Sequence, residues 1–358
     1  MAANRIDLAE LRPDRVCLIK PSSLGDIVHA LPVLSALRAA WPQAHLAWVV
    51  NRGLRGLLDG HPDLDEIIPF DRSRVGLGPQ GLAAFARFAS DLRRRKFDLS
   101  IDLQGLLRTG IIAACTGAAV RVGLADAREG ATRFYTHRVG DNDSKSKTHA
   151  VDKLMQVVHA FGISGSPSFV PVISDHDREW AKATLYSRNS PRLILNVGAR
   201  WLTKRWPPSR FAEVAVRAVK ECGVSLIAVG APEDRPLVEE LIAGLDGLPI
   251  LDLSGRTTLP QLAAVMAASD CVLSNDTGPL HLAAATGTRV VGVYTCTSPL
   301  KTGPYGVHSV AVASQVWCAA SCVKTCPRME CMTELTADRV WEAVRGQIQA
   351  SLGRRDAG

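Results

Sequence analysis

The feature that most restricts this chain's fold is a repeated alternation of short apolar runs with helical stretches, polar turns following the apolar runs. In the second half, residues 192–197, 225–229, 250–253, 271–274 and 289–294 read as strands. Helical patterns at 209–222, 234–245 and 259–269 lie between them, and a short one follows at 282–286. Strands joined through helices are parallel, and a parallel sheet needs helices on both faces. The first half keeps the same rhythm. Strands are expected at 16–20, 45–50, 66–69, 99–103 and 120–123, with helices up to Trp41 and at 80–95, 106–115 and 149–161. Pro32 is expected to divide a short first turn from the main part of the first helix. A Ser-, Pro- and Gly-rich stretch at 162–174, then a polar helix at 177–186 and Asn189-Ser190-Pro191, mark the domain boundary. The expected division is 1–174, 175–335 and a C-terminal helix and tail at 336–358. The fold class is therefore α/β: two doubly wound domains with a cleft between them. Ligands bind such sheets outside the carboxyl ends of the strands.

A length of 358 residues suits two cores, and 47% hydrophobic with 22% charged residues is ordinary for a globular enzyme. Charged or turn residues interrupt every apolar run before it could span a bilayer. The first fifteen residues lack an apolar core of the signal-peptide kind, so a cytoplasmic location is expected. A net charge of +7 favours anionic partners: nucleotides, phosphorylated glycans, an anionic membrane leaflet or nucleic acid. Aromatics are only 5% and form no basic–aromatic stripe, which makes nucleic acid the weaker choice. Neither Gly-x-Gly-x-x-Gly nor Gly-x-x-x-x-Gly-Lys-Ser/Thr is present, which weakens the dehydrogenase and ATPase readings.

Asn275-Asp276-Thr277-Gly278-Pro279-Leu280-His281 joins a strand to a helix through a tight turn. Thr277 or Gly278 suits the N-cap and Pro279 the first helical position. Such a helix start offers N–H groups and a positive dipole end to an anion. An ordinary turn with a solvated Asp and a packed His satisfies the same pattern. Lys20-Pro21-Ser22-Ser23-Leu24-Gly25-Asp26 with Ala30-Leu31-Pro32 resembles the N-terminal motif of the bacterial lipopolysaccharide heptosyltransferases. The 275–281 segment with Ala283-Ala284-Ala285 resembles that family's C-terminal motif. Asp102-Leu103-Gln104-Gly105, Lys204-Arg205-Trp206-Pro207 and Gly303-Pro304-Tyr305-Gly306 also fall in the family's order, so the resemblance covers Arg15 to Gly306. It implies a GT-B fold and inverting transfer of heptose from ADP-heptose to the Kdo or heptose of the lipopolysaccharide inner core. No metal or other cofactor is implied for catalysis. The acceptor would be lipid A–Kdo or an inner-core glycolipid, reached by peripheral contact with the inner leaflet of the cytoplasmic membrane.

Inverting sugar transfer needs a base for the acceptor hydroxyl and charge stabilisation for the departing diphosphate. Asp26, at the end of the first strand, is either a helix cap or that base; the resemblance implies the base. Gly25 lets the backbone approach the sugar. Lys204 is a solvated charge or a diphosphate ligand, and the resemblance implies the ligand. It implies phosphate contacts from Thr277 and Gly278 as well. His281 is a packing residue or a donor to the phosphates or sugar, and Asp276 bonds sugar hydroxyls or fixes its loop. Asp234, with Glu233 as alternate, is a helix-start charge or the ribose contact. Thr257 falls where the family contacts adenine through its backbone. Arg108, Arg128, Lys145 and Lys147 are solvated charges or acceptor-binding cations; Ala127-Arg128-Glu129 resembles a family acceptor segment.

Cys318, Cys322, Cys326 and Cys331 are spaced C-x3-C-x3-C-x4-C. They are either free thiols or a structural zinc or iron–sulfur site. Cys296 is reactive or simply small and buried. Three other functions compete: an epimerase or hydrolase acting on nucleotide-sugars with the same architecture, a related transferase using another sugar, and a binding protein that has lost chemistry.

Overall fold

The computed structural model describes residues 6–74, 78–141 and 147–355. The chain forms two compact units, Met1–Val172 and Ile173–Gly358.

The first unit runs β1 (Arg15–Ile19), α1 (Leu24–Ala40), β2 (His45–Asn51), β3 (Glu66–Phe70), α2 (Pro79–Arg94), β4 (Leu99–Asp102), α3 (Leu107–Cys115), β5 (Val120–Leu124), β6 (His137–Val139) and α4 (Ala150–Ala160). Its sheet has the order β3-β2-β1-β4-β5-β6, and every pairing is parallel. Chain order runs outward from β1 through β2 to β3. It then returns to the other side of β1 at β4, which makes the β1/β4 border the switch point. Val16, Cys17, Leu18 and Ile19 are fully buried, because helices cover both sheet faces.

Pro32 does not divide α1. The helix is continuous from Leu24 to Ala40, with Val28, Leu31, Val33 and Leu34 all buried around it. Packing on all sides offsets the one hydrogen bond that Pro cannot donate.

The second unit runs α5 (Asp175–Thr184), β7 (Arg192–Asn196), α6 (Pro208–Cys222), β8 (Ser225–Val229), α7 (Arg235–Ala243), β9 (Ile250–Asp252), α8 (Leu259–Ala267), β10 (Cys271–Asn275), α9 (Gly278–Ala285), β11 (Arg289–Tyr294), α10 (Pro299–Thr302), β12 (Ser309–Ala313), α11 (Glu330–Glu334) and α12 (Ala337–Arg355). The sheet order is β12-β11-β10-β7-β8-β9, again parallel throughout, and its switch point is β7/β10. The core of this unit includes Trp206, Phe211 and Trp341, all fully buried. The Trp206 indole donates to Leu335 O at 2.8 Å, so the ring enters the core without an orphaned N–H.

The reading from sequence left out β6 and β12. Each lies at an edge and pairs with a single neighbour, β5 or β11. Among the described residues no helix is long and apolar enough to cross a membrane.

Candidate active site

The loops leaving β7 and β10 carry the chief polar cluster of the second unit. A short 3-10 turn, Leu202–Lys204, follows β7. The Lys204 ammonium donates to Asp276 Oδ2 at 2.6 Å and to Asp276 O at 3.3 Å, and it lies 4.9 Å from the Trp201 ring centre. Asp276 is 4% exposed. It also accepts from Thr297 Oγ1 at 2.5 Å and lies 3.6 Å from His281 Nε2. Burial opposes ionisation of Asp276, but the His281 contact and the Lys204 charge outweigh it and hold the carboxyl below the ordinary carboxylate range. Asp276 therefore fixes Lys204 and His281 in one constellation.

The surrounding loops are cross-braced. Asn275 accepts from Trp206 N at 3.1 Å and donates to Val197 O at 2.8 Å, tying the β7 loop to β10. Asn196 Nδ2 donates to Ser274 Oγ at 2.8 Å and Thr277 Oγ1 at 3.0 Å. Thr277 is the N-cap of α9, yet its hydroxyl makes no capping bond. In the first turn of α9 Pro279 has no N–H and Leu280 N donates to Thr277 O at 3.1 Å, so what this turn presents to an anion is Gly278 and the positive end of the helix dipole. Asp234 stands after β8, where its Oδ2 accepts from Ala231 N at 2.9 Å and closes a tight turn. A Cβ on Gly198 would come within 2.3 Å of that carboxyl, so only glycine lets the β7 loop pass beside it. Thr257, after β9, is half-buried and immediately precedes Thr258, the N-cap of α8. Lys204, Asp234, Thr257, Asp276, Thr277, Gly278 and His281 thus all lie at or just beyond the carboxyl edge of the four adjacent strands β10-β7-β8-β9.

In the first unit, a pocket of about 340 Å³ opens at the β1/β4 switch point. Lys20, Asp26, Gln104, Asp126, Arg128 and Lys153 contribute to its lining. Asp26 Oδ2 accepts from Ser23 N at 2.8 Å and Ser23 Oγ at 2.7 Å, so the capping role is real. Its side chain is nevertheless 46% exposed, and Oδ1 lies 4.0 Å from the Lys20 ammonium. Lys20 is buried and donates to Leu103 O at 2.8 Å. Lys153 is paired with Asp126. Gly25 is buried in the first turn of α1. Gly105, at φ +69°, lets the β4 loop pass within contact of Ala127, beside Arg128.

Several expectations change. Arg108 is exposed on α3 and does not line the pocket, whereas Arg128 does. Lys147 is exposed and Lys145 lies outside the described residues. Asp102 is fully buried, accepting from Tyr135 OH at 2.6 Å and from Gln104 N at 2.9 Å, so it is a structural carboxyl. Burial raises its pKa. The four cysteines of the C-x3-C-x3-C-x4-C run do not assemble as ligands. Cys322 is exposed, Cys318 and Cys326 are half-buried, and Cys331 is taken into the core beside Met332. Among the described residues no group of three or more His, Cys, Asp or Glu is arranged to hold a metal ion. Cys296 is buried, and burial pushes its thiol pKa up.

Lys20 and Lys153 were missed as site residues. A Lys closing an otherwise apolar strand, six positions before an Asp, was the available signal for the first. Lys153 gave none, because only the tertiary fold packs α4 against α1 and β5 and pairs Lys153 with Asp126.

Residues 85–332 match the profile of glycosyltransferase family 9 (heptosyltransferase). The chain belongs to this family. It is therefore a glycosyltransferase, and the epimerase, hydrolase and non-catalytic readings give way. It is 31% identical over 319 residues to lipopolysaccharide heptosyltransferase 1 of Pseudomonas aeruginosa, covering 87% of each chain. It is 29% identical over 298 residues to the lipopolysaccharide core heptosyltransferase OpsX of Haemophilus influenzae, covering 82% of each. The solved structure of E. coli heptosyltransferase WaaC with ADP superposes with a TM-score of 0.72 at 24% identity, covering 93% of this chain and 99% of that one. That likeness establishes the GT-B class of fold, with two Rossmann-like sheets.

Proposed function

We propose that this chain transfers a heptose from ADP-heptose to the Kdo or heptose of a lipopolysaccharide inner core, with inversion at the anomeric carbon. The observation that carries the reading is the Lys204–Asp276–His281 cluster beside the start of α9, at the switch point of the second sheet. A diphosphate calls for this combination: an ammonium, an imidazole and the positive start of a helix. Asp234 would take the ribose hydroxyls, with the Thr257 backbone near the base. The names of the relatives supply the sugar and the acceptor class.

Asp26 is the base in this reading. Its Oδ2 is engaged by Ser23, so Oδ1 takes the acceptor hydroxyl proton. The acceptor oxygen bonds to the anomeric carbon from one face while the bond to the diphosphate oxygen breaks on the other. ADP departs with the electron pair, and Lys204, His281 and the start of α9 stabilise the charge that develops on it. These groups do the work of a divalent cation at the diphosphate, so no metal or other cofactor is required for turnover. On the acceptor side Arg128 and Lys153 line the Asp26 pocket and suit the carboxylates and phosphates of core sugars. The net charge of +7 favours peripheral contact with an anionic inner leaflet from the cytoplasm.

The test is mass spectrometry of the product formed from ADP-heptose with a panel of truncated lipid A–core acceptors. One heptose added to a Kdo- or heptose-terminated acceptor supports the reading. Release of free heptose and ADP with every acceptor would defeat it.

A further inference from the structure

The pocket around Asp26 contains a charge that the transfer chemistry above does not assign. Lys20 ends β1, where its backbone carbonyl accepts from the Trp48 indole at 3.2 Å, which fixes the start of the side chain. The side chain is 7% exposed, and its ammonium donates to Leu103 O at 2.8 Å and reaches to 4.0 Å from Asp26 Oδ1. A buried ammonium is costly to maintain without an anion. Burial lowers the Lys20 pKa, and Asp26 and Asp102 act against that trend.

We propose that Lys20 is a positioning residue for the transfer reaction: its ammonium, held by Leu103 O, keeps Asp26 ionised with Oδ1 turned into the acceptor pocket. The geometry separates the two carboxylate oxygens. Ser23 holds Oδ2 at the helix start, and Lys20 draws Oδ1 towards the end of β1. A base loses its function when protonated, so a neighbouring cation extends the pH range in which Asp26 can work. Among the described residues the other charged or titratable groups about this pocket are His29 on α1, Asp102 at the end of β4, Asp126 and Arg128 after β5, and Lys153 on α4. Lys153 is paired with Asp126, and Asp102 is buried beneath Tyr135. Lys20 stands in ion-pair range of Asp26 Oδ1.

This inference rests on Asp26 as base. The experiment is the pH dependence of kcat/KM for wild type, Lys20→Met, Lys20→Arg and Asp26→Asn, with ADP-heptose and a Kdo-terminated acceptor. Melting temperatures and the Kd of ADP check folding and the donor site. Removing the cation makes the carboxylate easier to protonate, so the acid limb of Lys20→Met should move to higher pH by about one unit, given the half-exposed partner. Lys20→Arg should restore most of that limb, and the Kd of ADP should hold in both variants. A Lys20→Met profile lowered uniformly, with its acid limb in place, overturns the proposal. So does a raised acceptor KM without a shift, which would make Lys20 an acceptor ligand instead. Substantial turnover by Asp26→Asn would overturn the base assignment itself. An inactive Asp26→Asn beside an unshifted Lys20→Met would overturn the role of Lys20 alone.

Discussion

Replacing Lys204 with Ala separates the two jobs its ammonium performs. In the free protein Lys204 binds Asp276 at 2.6 Å, with the two side chains 19% and 4% exposed. Removing it strands a buried carboxylate. Loss of one partner of a buried pair costs about 3–5 kcal/mol, and here Thr297 at 2.5 Å and the nearby His281 remain, so the lower end, about 3 kcal/mol of stability, is expected. For ligand binding, a hydrogen bond to a charged group contributes about 1.5–3 kcal/mol, which corresponds to a roughly 10- to 150-fold rise in Kd. The assay is calorimetric titration of wild type and Lys204→Ala with ADP, ADP-heptose and adenosine at a temperature where both are folded. ADP and ADP-heptose should lose similar amounts, and adenosine, lacking the diphosphate, should lose nothing. A destabilised variant that binds ADP as tightly as wild type would refute the reasoning, leaving Lys204 as a brace for Asp276. The double variant with Asp276→Asn measures the coupling, because the two residues touch and their effects will not add.

Asp26→Asn should reduce kcat by about 10²–10⁴-fold while the Kd of ADP and the melting temperature barely move, because the amide oxygen can still accept from Ser23. A large loss of stability with near-normal turnover would make Asp26 a cap only. Wild-type enzyme should turn over fully in EDTA; dependence on added magnesium or manganese that salt does not relieve would contradict the role given to Lys204 and α9. Asp276 is held below the ordinary carboxylate value of 3.8, so its pairing stabilises the fold above that pH and the contribution is lost as pH falls through the lower folded value. Chemical denaturation of wild type and Asp276→Asn from pH 6 to 2 should show the gap between them closing towards acid; a constant gap would show that Asp276 is not the titrating group.

The strands that carry the site were readable because parallel strands buried on both faces are continuous apolar runs. The run at 271–274 is an example, followed by the Asn-Asp-Thr-Gly-Pro turn. The edge strands β6 and β12 were not, since pairing with one neighbour stabilises them more than their own composition does. Asp26 and Lys204 stand in motifs and could be named in advance. The partner that each acquires could not: Lys204 meets Asp276, seventy-two positions away, and Lys153 lies with Lys20 and Arg128 along one pocket. Cysteine spacing suggested a metal ligand set, yet among the described residues no three such groups are arranged to hold an ion.

By itself the sequence determined the α/β alternation, the pair of doubly wound sheets, the family and the turns that carry its chemistry. These follow from local periodicity and from residues whose backbone needs are local. Only the tertiary structure decided which charges neutralise one another and which carboxyl is buried, so that Asp276 became an anchor, Asp102 a structural acceptor and Asp26 a half-exposed group beside a buried ammonium. The physical reason is that an ionisable group's state depends on burial and on charges a few ångströms away, and folding sets both between residues far apart in the chain.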